Sequence, residues 1–198
     1  MIELFLKELQ GVWYGVASEG ERVFGTSFAS TEENALKGLL GGIPYGASFQ
    51  RSKKFSAFAL QALALLKEVY DGKGASRELV LAKEHLSNYA RKVIEVTALI
   101  PVGYVASYGG VSKAAGGGPR AVGNVMASNP FAPVVPCHRV VASDLTLGGY
   151  GGGLNLKLQM LKRERRGYAS EKAISVGSKK LVVFPVEFVL NNVEKRKR

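Results

Sequence analysis

Residues 2–7, 12–18 and 22–28 are short runs rich in apolar, aromatic and β-branched residues, which predicts three short strands with Glu19-Gly20-Glu21 as a hairpin turn. Ser30-Thr31-Glu32-Glu33 has the form of a capping box and predicts a helix through about Leu40, stopped by Gly41-Gly42-Ile43-Pro44. Phe55, Phe58, Ala59, Ala62, Leu63, Leu66 and Val69 then recur at helical spacing, predicting a longer helix over 54–70. Asp71-Gly72-Lys73-Gly74 breaks the pattern and is the best candidate boundary. The pattern thus predicts a small α/β support domain over 1–74, without evident chemistry of its own.

Past the break, Tyr89, Val93, Val96 and Ile100 lie along one face of a predicted helix over 86–98, followed by an extended piece over 100–106. Two short helices follow, 108–115 and 119–127, joined by Gly116-Gly117-Gly118; Asn129-Pro130 ends the second. Two helices with a glycine turn suggest a helix-turn-helix, although helical hairpins also occur in proteins that never touch DNA. Residues 146–153 form a glycine-rich loop without the Gly-Lys-Ser/Thr ending of a phosphate-binding loop. A helix over 154–166, a strand or hairpin over 181–190 and the basic tail Lys195-Arg196-Lys197-Arg198 complete the chain. The fold class expected is an α/β N-terminal domain plus a mostly α C-terminal domain, 75–198, with a helix-turn-helix.

Composition narrows the function classes. No apolar segment is long enough to span a membrane, and Met1-Ile2-Glu3 opens without the form of a signal peptide. One cysteine excludes an internal disulfide and fits a reducing, cytoplasmic setting. With His85 and His138 as the only histidines, a Cys/His zinc site is not expected. The net charge of +11 favours a polyanionic partner, nucleic acid before an acidic membrane surface.

The single cysteine sits in Val134-Val135-Pro136-Cys137-His138-Arg139-Val140-Val141, where proline removes an amide donor just ahead of it. Taken alone, Cys137 is either a small buried hydrophobe or a nucleophile that needs a base to become thiolate. His138 is adjacent, but successive residues of an extended segment point to opposite faces, so direct contact with the sulfur is not expected. Glu164 falls on the apolar arc of its helix with Leu154, Leu158 and Leu161, where a carboxylate requires a partner. Lys157, two turns earlier, is one such partner. Arg120 follows Gly118 and Pro119 in the first turn of its helix, where a cation opposes the helix dipole; stability does not explain it, although surface chance could. Tyr108 reads equally as an ordinary half-buried tyrosine, and Asn129 as a plain helix C-cap.

These fragments, in this order, resemble the O6-alkylguanine-DNA alkyltransferases (methylated-DNA–protein-cysteine methyltransferases): Ser107-Tyr108, Arg120-Ala121-Val122-Gly123, Asn129-Pro130, the cysteine motif, Tyr150-Gly151-Gly152-Gly153-Leu154 and Glu164. The resemblance covers residues 100–166. It implies a relay of Cys137, water, His138 and Glu164, with Glu164 holding the imidazole tautomer. It implies that Arg120 enters the base stack as the target nucleotide swings out, while Gly118, Pro119 and Ala121 let the helix approach the minor groove. Tyr108 would donate a proton to guanine N3, and Asn129 would act as a hinge. The carbonyls of Cys137 and Val140, with the amide of Tyr150 or Gly151, would read the flipped base.

The linker between Tyr108 and Arg120 is shorter than in many members, and the helix before Pro101 lacks a tryptophan that many carry. Zinc-site residues of some eukaryotic members are absent. The function implied is direct-reversal DNA repair: a monomer on double-stranded DNA containing O6-alkylguanine, transferring one alkyl group irreversibly to Cys137. No metal, organic cofactor or membrane is called for. Two other classes share some features. A non-catalytic helix-turn-helix binder would leave Cys137 inert to alkylguanine, and a thiol hydrolase would turn over repeatedly and ignore DNA.

Overall fold

The computed structural model describes residues 1–196 and divides into two compact units. The first comprises Met1–Tyr70, Ala75–Leu86 and Asn129–Val134. Its strands β1 (Ile2–Leu9), β2 (Val12–Glu19) and β3 (Arg22–Ala29) form an antiparallel meander. Two short parallel edge strands, β4 (Phe49–Arg51) and β5 (Val80–Leu81), extend it to the order β4-β1-β2-β3-β5. Helix α1 (Glu32–Leu40) begins at Thr31, whose hydroxyl accepts the Asn34 amide at 3.3 Å.

The alternation in β1 explains how this sheet is covered. Ile2, Leu4 and Leu6 pack with Ala35 and Leu39 of α1 on one face. Phe5 packs with Ala59, Ala62, Leu63 and Leu66 of α2 (Ala57–Tyr70) on the other. The expected single boundary after Gly74 does not hold, for two reasons. The pairing of β5 with β3 draws residues 75–86 into this unit. Residues 129–134 return to it as well: the Thr26 amide donates to the Pro130 carbonyl at 2.8 Å, and the Thr26 hydroxyl to the Ala132 carbonyl at 2.9 Å.

The second unit comprises Asp71–Gly74, Ser87–Ser128 and 135 onward. Helices α3 (Asn88–Ala98), α4 (Tyr108–Ala115) and α5 (Pro119–Ala127) pack on one another. Gly117, at φ +78°, carries the turn from α4 to α5 over the Tyr89 ring, where a Cβ would lie 2.7 Å from ring atoms. Strand β6 (Tyr104–Ser107) leads into α4, and α6 (Leu154–Arg163) ends three residues earlier than expected, with Glu164 as its C-cap.

Beyond the helices this unit holds a four-stranded sheet, β7-β6-β9-β8, made with β7 (Val140–Val141), β8 (Lys172–Val176) and β9 (Lys179–Pro185). The strand or hairpin expected over 181–190 is instead the end of β9 followed by helix α7 (Val186–Lys195). Val186, Val189 and Leu190 follow helical spacing and pack with Leu161, Val105 and Val141. Of the basic tail, Lys195 ends α7 and Arg196 caps it; residues 197–198 lie outside the described residues.

Candidate active site

The cysteine stretch is not extended throughout. Cys137–Arg139 form a single 3₁₀ turn: the Arg139 amide donates to the Pro136 carbonyl at 2.8 Å and the Val140 amide to the Cys137 carbonyl. Val140 and Val141 then pair in parallel with β6. Successive side chains of a 3₁₀ turn diverge by about 120°, so Cys137 and His138 are aimed apart, as alternation in a strand would also have it. Cys137 lines a cleft, whereas His138 is fully buried behind it.

Behind the turn lies a tight ionic cluster. His138 Nε2 is 2.8 Å from Glu164 Oε1. Arg139 grips the same carboxylate, Nε lying 3.0 Å from both oxygens and Nη2 2.9 Å from Oε1. Its Nη1 donates to the Ile100 carbonyl at 2.7 Å. Burial alone would push the Glu164 pKa up; the facing His138 and Arg139 groups reverse this and hold it at about 2. Glu164 is therefore an acceptor only, and the proton of the bond resides on His138 Nε2. Burial pushes the His138 pKa down against the pull of Glu164, which favours the neutral imidazole. A neutral ring protonated at Nε2 carries its lone pair on Nδ1, and that atom is buried with no hydrogen-bond partner among the described residues.

The cleft has a volume of about 560 Å³ and a mainly apolar wall. Cys137, Tyr108, Tyr150, Gly149 and Gly151 line it, together with Pro119, Arg120 and Gly123 of α5. The Tyr108 hydroxyl donates to the Gly149 carbonyl at 3.0 Å. Burial, with the nearby cysteine, raises the Tyr108 pKa above its ordinary value, so the phenol keeps its proton. Arg120 is exposed at the start of α5, which has Pro119 at its first position and no side-chain cap from Gly118; Ala121 is half-buried beside it. Asn129 belongs to the first unit, where its Oδ1 accepts the Phe131 amide at 3.0 Å.

Lys157 does not pair with Glu164. It is fully buried, and its ammonium donates to the carbonyls of Val140 (2.6 Å), Leu147 (2.5 Å) and Gly149 (3.0 Å). Burial lowers its pKa to about 8, while the charge of a Cys137 thiolate acts to raise it. It thereby ties the glycine-rich loop to β7 and occupies one side of the Val140 carbonyl. Arg139 has no part in the sequence reading, and Lys157 has one with the wrong partner. The signal for Arg139 was a lone cation inside a β-branched run, which must be paired if buried. Lys157 was noticed on the apolar arc of α6, but its partners are backbone carbonyls, which no side-chain pattern reveals. Among the described residues no cluster of three or more His, Cys, Asp or Glu could hold a metal, and no helix is long and apolar enough to cross a membrane.

Comparison with known proteins bears on this site. Residues 88–166 match the family model described as the 6-O-methylguanine DNA methyltransferase DNA binding domain. The methylated-DNA–protein-cysteine methyltransferase of Methanothermobacter thermautotrophicus is 44% identical over 78 residues, which is 39% of this chain and 44% of that protein. The chain thus spans about half the length of this relative. The corresponding protein of Thermococcus kodakarensis is 34% identical over 170 residues, covering 82% of this chain and 94% of that one. Among solved structures, the O6-methylguanine-DNA methyltransferase of Pyrococcus kodakaraensis superposes with a TM-score of 0.62 at 31% identity, over 83% of this chain and 99% of the other. A match of that identity along nearly the whole of a relative, through the segment that carries Cys137, His138 and Glu164, decides the classification: the chain belongs to the methylated-DNA–protein-cysteine methyltransferase family.

Proposed function

We propose that this protein repairs DNA directly, by moving the alkyl group of an O6-alkylguanine onto Cys137. One observation carries the reading. The sole cysteine lines a cleft while a neutral His138, held by Glu164 at 2.8 Å, keeps a buried Nδ1 without a hydrogen-bond partner among the described residues. A water between the thiol and Nδ1 completes a path for the thiol proton: sulfur to water, water to Nδ1, with Glu164 stabilising the imidazolium that results. The thiolate then attacks the alkyl carbon in line, and an S–C bond forms as the C–O6 bond breaks. The bonding pair leaves with guanine, and Tyr108 supplies a proton to N3 of the departing base. The product is a thioether, which offers no good leaving group, so each molecule acts once.

The second unit would bind duplex DNA as a monomer, with α4 and α5 as a helix-turn-helix and α5 in the minor groove. Readout there is poor in sequence information, which suits a search for damage. Arg120 would fill the gap left by the flipped nucleotide and offset part of the few kcal/mol that flipping costs. Gly118, Pro119 and Ala121 would keep α5 close to the backbone. The carbonyls of Cys137 and Val140, with the amide of Tyr150 or Gly151, would read the base, and Asn129 would act as the hinge. The first unit would serve as support, and the site of action would be the cytoplasm. Titration of the protein with a duplex carrying radiolabelled O6-methylguanine tests this reading. Label transferred should plateau at one equivalent per protein and vanish in Cys137→Ser. Release of more than one equivalent would favour a turning-over thiol hydrolase, and DNA binding without transfer a non-catalytic binder.

A further inference from the structure

The positive charge of the chain is not shared between its two units. Nine Lys and Arg against nine Asp and Glu leave the first unit neutral; eighteen against seven give the second the whole +11. Of this excess, +4 lies past residue 166, where the family model ends and the β8–β9 hairpin and α7 follow. The hairpin turns through Gly177 and Ser178, with Val176 opposite Lys179. Lys179 and Lys180 at its tip are exposed and have no acidic partner among the described residues. Lys172, on the partner strand, lies instead over the Tyr104 and Tyr168 rings.

The register shows where this tip points. β9 is antiparallel to β6, with Tyr104 opposite Pro185 and Val105 opposite Phe184. Continuing that register sets Val182 beside Ser107, the residue that caps α4 and precedes Tyr108. The Val182 carbonyl and the Leu181 side chain indeed lie 3.9 and 3.8 Å from the Cβ position of Gly110 in α4. Lys179 is three residues further along, roughly 10 Å beyond the start of α4 at the usual strand rise. The tip thus leaves the sheet at the end where Tyr108 enters the cleft wall. A strand ahead of two helices, paired with the inner strand of a hairpin, is the arrangement that flanks a winged helix-turn-helix; here the hairpin follows after the cysteine turn, β7 and α6 rather than directly after α5.

We propose that the β8–β9 hairpin is a wing, and that Lys179 and Lys180 bind DNA phosphates flanking the segment held by α4 and α5. The inference rests on the DNA-binding reading above. It explains why two lysines stand side by side at an exposed tip, where their mutual repulsion stabilises nothing within the fold. Phosphate contacts of this kind position a protein without reading sequence, and each releases condensed counterions.

The test compares Lys179→Ala/Lys180→Ala with Lys53→Ala/Lys54→Ala, which removes the same charge from the neutral first unit. Affinity for an undamaged duplex is measured between 50 and 200 mM salt. Two lost phosphate contacts should flatten the log–log slope by about 1.8, so that unmodified protein loses ~12-fold more affinity than the wing variant over that range. Hydroxyl-radical footprinting should lose one flanking patch of protected phosphates in the wing variant only. Melting temperature and alkylation of Cys137 by iodoacetamide should not change. A slope and footprint equal to those of the unmodified protein, or an equal change in the first-unit control, would overturn the wing. Absence of salt-dependent binding by the unmodified protein would overturn the DNA-binding reading itself, and the wing with it.

Discussion

Replacing Glu164 with glutamine keeps the shape of the side chain and removes the charge on which the buried cluster depends. Its carboxyl lies at about 2 in the folded protein against an ordinary 4.5. At about 1.4 kcal/mol per pKa unit, that difference amounts to roughly 3 kcal/mol of stability. The folded pKa is depressed, so the unfolded chain takes up the proton first. The contribution is complete above about pH 5 and is lost as pH falls towards 2. His138, whose pKa burial lowers, acts in the same direction and begins to cost stability below its ordinary 6.5.

Glu164→Gln also leaves the Arg139 guanidinium, nine-tenths buried, without its anion, a loss typically worth about 3–5 kcal/mol. Urea unfolding at fixed pH values from 7 to 3 is the assay. The unmodified protein should lose stability steeply below pH 5. The variant should start several kcal/mol lower at pH 7 and show a flatter acid limb. A variant within 1 kcal/mol of the unmodified protein at pH 7, or one with the same acid limb, would show that the cluster does not depend on this charge.

Three further predictions concern other parts of the site. Lys157→Gln keeps two N–H donors for the three carbonyls of Val140, Leu147 and Gly149 and removes the charge. It should slow Cys137 alkylation by iodoacetamide at neutral pH and move its pH profile upward, and an unchanged profile would remove Lys157 from the electrostatics of the thiol. Arg120→Ala, at an exposed position, should leave melting and iodoacetamide reactivity unchanged, yet slow repair in duplex DNA by ~10- to 100-fold, given a flipping cost of a few kcal/mol. Equal duplex repair rates would exclude a flipping role. Gly117→Val meets both a φ of +78° and the Tyr89 ring, and should lower stability by roughly 2 kcal/mol or more in a thermal melt; a melt within a degree of the unmodified protein would show that the turn adapts.

What could be read from the chain was local. The strand-rich runs of β1, β2 and β3, the cap at Thr31 and the Gly116–Gly118 turn each follow from residues a few positions apart, and each is present. Cys137 and His138 are neighbours in sequence, so their divergence into cleft and interior follows from backbone geometry alone. Less legible were the contacts that close over long separations. The carboxylate of Glu164 is expected to need a partner, yet the helical pattern offers only Lys157, seven residues back, and gives no sign of Arg139, 25 residues back. The backbone carbonyls that hold Lys157 carry no sequence mark at all.

Edge strands were missed for another reason. β8 buries little, and its Lys172-Ala173-Ile174-Ser175-Val176 run therefore shows no strong alternation. The start of α7 was merged with β9 because Leu181–Val186 is one apolar run, although Pro185 marks the point where strand gives way to helix.

Intact-protein mass shows whether Cys137 is the alkyl acceptor. The protein is mixed with an excess of duplex containing one O6-methylguanine, and its mass is taken before and after, with peptide mapping. A single exchange of hydrogen for methyl is expected, complete at one equivalent, mapped to Cys137 and absent from Cys137→Ser. An unchanged mass, or a methyl group on any other residue, would contradict it.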